Sequence, residues 1–116
     1  MTKSIHWLGH SRSILQTFEK SVRAEIGYQL YRLQQGLLPS DYKPMKTIGM
    51  GVWEIRTHRP YEHRVIYTVK LESRIYILHA FKKKSQKTPK SDLEIAVKNY
   101  QELMWRIQNI KIKTDL

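Results

Sequence analysis

The sequence contains no cysteine among its 116 residues, which excludes disulfide bonds, thiolate metal sites and thiol nucleophiles. It has no apolar run near the ~20 residues that span a membrane, and residues 1–7 lack the apolar core and cleavage site of a signal peptide. We therefore expect a soluble protein of the cytoplasm with no membrane contact. The length and a hydrophobic fraction of 41% predict a single domain over residues 1–116 with one modest core.

Acidic residues are also scarce, because ten Asp and Glu stand against 21 Lys and Arg, for a net charge of +11. The acids form no paired set, so no metal site is expected. The glycine motifs that cradle nucleotide phosphates are missing, so no cofactor is expected either. Such an excess of positive charge favours a polyanionic partner, and nucleic acid is the leading candidate.

The first third of the chain has a helical pattern. Apolar residues recur every three or four positions from Ile14 to Leu37, which predicts one amphipathic helix or two consecutive ones, with residues 19–21 as a plausible break. Gly36 supplies a stop signal. Residues 38–51 hold two prolines and two glycines in a polar setting and are predicted to form a connecting loop.

The middle of the chain changes to near alternation. Residues 52–57, 64–69 and 74–81 are rich in β-branched and aromatic residues and are separated by short polar turns, which predicts three strands in an antiparallel meander. Residues 4–8 are expected to add an edge strand. Thr88 and Pro89 then precede a second apolar helical face.

The fold class predicted from this order is α+β: N-terminal helices, an antiparallel sheet of three to four strands, and a C-terminal helix packed on the sheet. Residues 109–116 are polar and are expected to form a flexible tail.

The most unusual segment is 79–90, which carries five lysines and no acid. A loop this cationic, placed before a helix N-terminus, is a good receptor for a phosphate backbone. His79 and Phe81 interleave rings with the lysines, as base-stacking surfaces do. The alternative is a solvated charge run that only keeps the protein soluble.

A second cationic cluster lies on the first two meander strands and their turn, and it consists of Arg56, His58, Arg59, His63 and Arg64. If these strands pair as a hairpin, Arg56 and Arg64 come close together. Arg64 occupies an otherwise apolar side of its strand, so we expect it at the end of the sheet, reaching a shared concave site. Alternatively, each arginine only pairs with Glu54 or Glu62.

These residue types can cleave RNA without a metal ion. The 2′-hydroxyl is the nucleophile, so the protein need only remove its proton, stabilise the phosphorane and protonate the leaving 5′-oxygen. Arginine is suited to stabilising the phosphorane. A lysine surrounded by other cations has a lowered pKa and can act as a base, and histidine can serve as acid or base.

Four segments together resemble a known family: Lys43-Pro44-Met45-Lys46, Gly51-Val52-Trp53-Glu54-Ile55-Arg56, Arg64-Val65-Ile66-Tyr67, and His79-Ala80-Phe81-Lys82-Lys83-Lys84-Ser85-Gln86-Lys87-Thr88-Pro89. They resemble the phage-related, HigB-like branch of the RelE/ParE toxin superfamily over residues 5–104. The resemblance implies a RelE-like fold of the microbial RNase type, in agreement with the layout above.

The resemblance also implies the toxin of a type II toxin-antitoxin pair. Such a toxin is a ribosome-dependent mRNA endoribonuclease, or mRNA interferase, that arrests translation and growth. Its partners would be mRNA on the ribosome and a cognate helix-turn-helix antitoxin of the HigA-like kind. The alternative is a noncatalytic RNA- or ribosome-binding module on the same fold.

The expected site residues fall into two sets. The expected catalytic residues are Arg56, Arg64, His79, Lys82 and Lys84. The expected RNA-binding residues are Lys46, Arg59, Phe81, Lys83 and Lys87. Members of the superfamily differ in which residue acts as base and which as acid.

Overall fold

The computed structural model describes residues 2–71, 73–84 and 86–114, with side chains described as far as Ile110. Its elements in chain order are β1 Ser4–Trp7, α1 Ser11–Gln16, α2 Lys20–Gln34, β2 Tyr42–Pro44, β3 Val52–Thr57, β4 His63–Lys70, β5 Arg74–Lys82 and α3 Lys90–Thr114.

The sheet has five strands in the order β1-β5-β4-β3-β2. The predicted α+β class and the antiparallel meander β3-β4-β5 are confirmed. The prediction of three to four antiparallel strands is wrong in two respects. β1, the expected edge strand, pairs with β5 in parallel, and β2 forms inside the predicted loop 38–51. β2 has only three residues and ends in Pro44, so it is too short to show alternation and suits only a sheet edge.

The predicted break between the N-terminal helices is confirmed, since α1 ends at Gln16 and α2 begins at Lys20. α2 ends in a Schellman turn. The Gly36 N–H donates to the Leu33 carbonyl at 3.0 Å, and the Leu37 N–H donates to the Arg32 carbonyl at 2.8 Å. Gly36 takes a φ of 82°, a conformation that side chains disfavour. The chain therefore turns sharply toward β2.

Helices cover both faces of the sheet. α2 packs through Val22 and Ile26 on one face, among the alternate side chains of the central strands. α3 packs through Ala96 and Leu103 on the other face. β4 and β5 are therefore buried on both sides and show no strict alternation of polarity. α3 continues to Thr114, through most of the segment expected to be a tail; residues 115 and 116 lie outside the described residues.

A bulge interrupts the pairing of β4 with β5. Ile66 pairs with His79 and Tyr67 pairs with Ile77, so Leu78 is an extra residue on β5. A single extra residue reverses the side to which all later side chains of a strand point. Phe81 therefore lies on the α3 side of the sheet, in the same cluster as Leu78.

Candidate nucleic-acid interface

Three strands present cations on the α3 side of the sheet. Arg56 of β3 lies directly opposite Arg64 of β4, which confirms that pairing of the strands brings the two arginines together. Lys43 of β2 lies opposite Glu54 of β3, and Glu54 is on the same side of β3 as Arg56. Positive side chains from neighbouring strands thus surround a single carboxylate.

An open cavity of about 450 Å³ lies at this end of the sheet. We call it the Arg64 cavity, and its lining residues are Glu62, Arg64, Lys83, Lys84 and Gln86. The Lys83 N–H donates to the Glu62 carbonyl at 2.7 Å, which extends the β4–β5 pairing by one step and holds Lys83 beside Arg64. The cavity therefore joins the two cationic clusters of the sequence.

Arg64 is held rigidly in this cavity. It stands at the end of β4 as expected, but its side chain is only 5% exposed. Its Nη1 donates to the His63 carbonyl at 2.9 Å, and its Nη2 donates to Glu62 Oε1 at 2.8 Å. Its Nε lies 3.4 Å from Glu54 Oε1. Arg64 thus pairs with both acids that the alternative interpretation proposed, and Glu62 is the one that solvent reaches.

Glu54 is a fully buried carboxylate, with 0% of its surface exposed. Neither oxygen has a hydrogen-bond partner among the described residues, and Lys43 Nζ lies 3.8 Å from Oε1. Burial raises the pKa of Glu54, and the charges of Lys43, Arg64, Lys83 and Arg56 oppose that rise. From the sequence, Glu54 was expected only as a partner of an arginine, and Lys43 was not among the expected site residues. The contact between them depends on β2, which lies within a segment predicted to be a loop.

Lys83 has the electrostatic environment expected of a reactive lysine. Burial lowers the pKa of its ammonium group, and the positive charge of Arg64 lowers it further, against the opposing effect of Glu54. The expectation of a lysine with a lowered pKa therefore applies to Lys83, which the sequence analysis assigned to RNA binding only.

Arg56 points toward a second cavity, of about 410 Å³, which Arg59 also lines. Its Nε donates to Asp41 Oδ1 at 3.1 Å. His58 bridges Asp41 and Glu62 with its two ring nitrogens. Hydrogen bonds to Asp41 and then Glu62 raise the pKa of His58. The hydrogen bond from Arg64 lowers the pKa of Glu62. The two facing arginines are thus each neutralised by an acid, and one histidine links these acids.

His79 is buried and does not reach the Arg64 cavity. Its Nε2 lies 2.8 Å from Asp92 Oδ1 in the first turn of α3, and its ring stacks on Phe81 at 5.6 Å between centroids. Both rings line a third cavity, of about 450 Å³, whose wall is mostly apolar. Lys84 borders this cavity and the Arg64 cavity, so an apolar surface lies next to the cationic one.

The remaining expected site residues are spread over the surface. Lys82 is exposed and lies on the opposite side of β5 from Phe81, with Nζ 3.9 Å from the Tyr61 ring centroid. Lys46 is exposed and lines a fourth cavity at the start of β3. Lys87 is exposed. The structure thus groups Arg64, Lys83 and Lys84 and separates Lys82 and Lys46 from them.

Within the described residues, no group of three His, Asp or Glu side chains could hold a metal ion. His6 and His10 have the four-residue spacing that places two metal-binding histidines on one face of a helix. However, His6 lies on β1, and its ring hydrogen-bonds to Ser4. No helix in residues 2–71, 73–84 and 86–114 is long and apolar enough to cross a membrane.

Residues 13–101 match the model of a family described as phage-derived protein Gp49-like (DUF891). The match covers most of the chain, and the chain belongs to this family. Among solved structures, the Escherichia coli toxin RelE, as a mutant with two arginine-to-alanine substitutions in the free state, is similar over 88% of this chain and 98% of that chain, with a TM-score of 0.61 and 10% identity. At that identity the likeness establishes a RelE-like fold. No curated protein matches at a significant level.

Proposed function

We propose that this chain is the toxin of a type II toxin-antitoxin pair and a metal-independent endoribonuclease that cuts mRNA on the ribosome. The observation that carries the proposal is the convergence of Arg64, Lys83 and Lys84 on one open cavity, on the fold of a RelE toxin. A cavity with a fixed guanidinium and two ammonium groups suits a phosphodiester.

The cavity supplies a group for each step of cleavage by the 2′-hydroxyl. Lys83 takes the 2′-hydroxyl proton, because its lowered pKa favours a neutral amine. The 2′-oxygen then bonds to phosphorus, and Arg64 stabilises the phosphorane. As the bond from phosphorus to the 5′-oxygen breaks, Lys84 donates a proton to that oxygen. The upstream fragment keeps a 2′,3′-cyclic phosphate.

The other expected residues act around this step in our proposal. Arg56 adds positive charge from the neighbouring strand, and His79 holds Phe81 and the start of α3 in place through its bond to Asp92. Lys46, Arg59 and Lys87 are contacts for the RNA backbone. The HigB-like subtype and the HigA-like helix-turn-helix antitoxin rest on the sequence resemblance, whereas a single cytoplasmic domain rests on the length and composition of the chain.

The test is cleavage of a defined message on programmed ribosomes, with analysis of the fragment ends. Wild-type protein should leave a 2′,3′-cyclic phosphate or 3′-phosphate, and a single 2′-deoxy substitution at the mapped site should stop cleavage. Cutting of the deoxy message, or a 3′-hydroxyl end, would refute the mechanism. Binding to the ribosome without any cleavage would instead support the noncatalytic RNA-binding module.

Lys83→Met tests the assignment of the base, with Lys98→Met as a control that removes the same charge from an exposed position on α3. Loss of a general base should slow cleavage by about 10²-fold or more, while the control should cleave at the wild-type rate. Equal rates for the two variants would remove Lys83 from the mechanism.

A further inference from the structure

Stability does not explain why β3 carries a buried acid. Glu54 lies midway along β3, next to the edge strand β2, with both oxygens shielded from solvent and without hydrogen bonds to the residues that the structure describes. Burying a carboxylate is costly, and its raised pKa shows that the surrounding cations do not fully offset that cost. A neutral side chain of the same shape would avoid that cost, and Arg64 would keep its bonds to Glu62 and to the His63 carbonyl.

The position of Glu54 relative to Arg64 indicates another role. Glu54 lies beside Nε of Arg64, the main-chain carbonyl of His63 binds Nη1, and Glu62 is the one partner of Nη2 within residues 2–71, 73–84 and 86–114. Because Glu62 is exposed, a phosphate can displace it from Nη2. It cannot displace Glu54, which no solvent reaches. Glu54 therefore fixes one edge of the guanidinium and leaves the other edge for exchange with a ligand.

Glu54 also acts on a cation of β2 and on one that directly follows β5. Lys43 Nζ approaches the same oxygen, Oε1, at 3.8 Å, and the charge of Glu54 acts on Lys83. Without this carboxylate, these like charges would repel one another and draw apart. A shift of about 1 Å at a reacting group is sufficient to reduce a rate by about 10²-fold.

We propose that Glu54 is a positioning residue, whose buried carboxylate holds Arg64, Lys43 and Lys83 together for the phosphorane and never contacts RNA itself. The inference rests on the proposed function. It goes further because it gives a buried negative charge the role of holding a cationic site together, and because it adds Lys43 to that site.

Glu54→Gln separates positioning from a structural or binding role, because it keeps the shape and removes the charge. We expect single-turnover cleavage on programmed ribosomes to slow by about 10²-fold. Binding of ribosome-bound mRNA should be unchanged or tighter, since the site gains a net positive charge. The melting temperature should change little, because Arg64 keeps its bonds to Glu62 and the His63 carbonyl. Glu54→Asp, which keeps the charge at a slightly different place, should recover part of the rate.

Glu102→Gln is the matched control, because Glu102 is an exposed acid on α3 paired with Arg106; it should cleave as wild type does. If wild type cleaves and Glu54→Gln cleaves equally fast, the positioning role is overturned and the proposed function stays intact. The same conclusion follows if mRNA binding by Glu54→Gln falls in step with its cleavage rate. If Glu54→Gln does not fold, Glu54→Asp decides: a slower rate with unchanged binding supports the inference, and a wild-type rate overturns it. Absence of cleavage by wild type would remove the proposed function itself.

Discussion

Replacing Arg64 by alanine is expected to damage the fold as well as the activity. The change removes the guanidinium 3.4 Å from Glu54 Oε1 and leaves a fully buried carboxylate with more distant partners. Loss of one member of a buried ion pair typically costs about 3 to 5 kcal/mol. For a chain of this length, 1 kcal/mol corresponds to a shift of about 4 °C in melting temperature, so Arg64→Ala should melt about 12 to 20 °C below wild type.

The pH dependence of that loss identifies its cause. Without Arg64, the already raised pKa of Glu54 should rise further in the folded state. A folded-state pKa above the unfolded value means that the folded protein binds more protons, so stability is retained at low pH and falls as pH rises through the folded pKa. Arg64→Ala should therefore lose more stability relative to wild type at mildly alkaline pH than at mildly acidic pH.

The assay is chemical denaturation of four proteins in a double-mutant cycle: wild type, Arg64→Ala, Glu54→Gln and the double variant. The double variant should recover most of the lost stability, because no charge remains buried alone, yet it should still cleave about 10² to 10³-fold more slowly than wild type. An Arg64→Ala protein as stable as wild type, or a double variant no more stable than Arg64→Ala, would refute the reasoning.

Three further predictions concern Glu62, His58 and Gly51. Glu62→Gln replaces the charged bond to Nη2 of Arg64 by a weaker neutral one, so it should tighten RNA binding, and a weaker complex would contradict this role for Glu62. The raised pKa of His58 means that its bridge to Asp41 and Glu62 stabilises the fold at low pH, and that this stabilisation is lost as pH rises through that pKa. Urea denaturation of His58→Gln should show no such pH dependence. The effect should be less than about 1 kcal/mol, because the ring is half-exposed. Gly51→Ala should cost about 1 to 2 kcal/mol, measured the same way, because Gly51 has a φ of 76°.

The sequence predicts the fold well because periodicity reports burial directly. The bounds of β3 agree residue for residue with the predicted 52–57, and the pairing of Arg56 with Arg64 follows from a short turn between two alternating strands. β2 could not be found in this way, because a strand of three residues at a sheet edge owes its existence to its neighbour β3 and not to its own pattern.

The site was harder to predict because side-chain direction in β5 depends on a bulge. Plain alternation from Leu78 puts Lys82 and Lys84 on the α3 side of the sheet. The extra residue at Leu78 reverses this, so that Lys83 lies beside Arg64 and Lys82 packs over Tyr61. A bulge forms through tertiary packing and leaves no single-residue signal in this strand. The burial of Glu54 is a similar case, since no local pattern indicates that a strand glutamate lacks solvent contact.

The carboxylates bound to Arg56 and Arg64 affect how this surface responds to salt. Single-stranded RNA carries condensed cations, and a lysine that neutralises one phosphate releases about 0.7 of a cation. The charges of Arg56 and Arg64 are already balanced by Asp41 and Glu62, so a phosphate that binds there displaces a tethered carboxylate, meets little net positive charge and releases few of the cations of the RNA. The salt dependence of RNA affinity should therefore count the exposed lysines and understate the number of phosphates that the protein contacts.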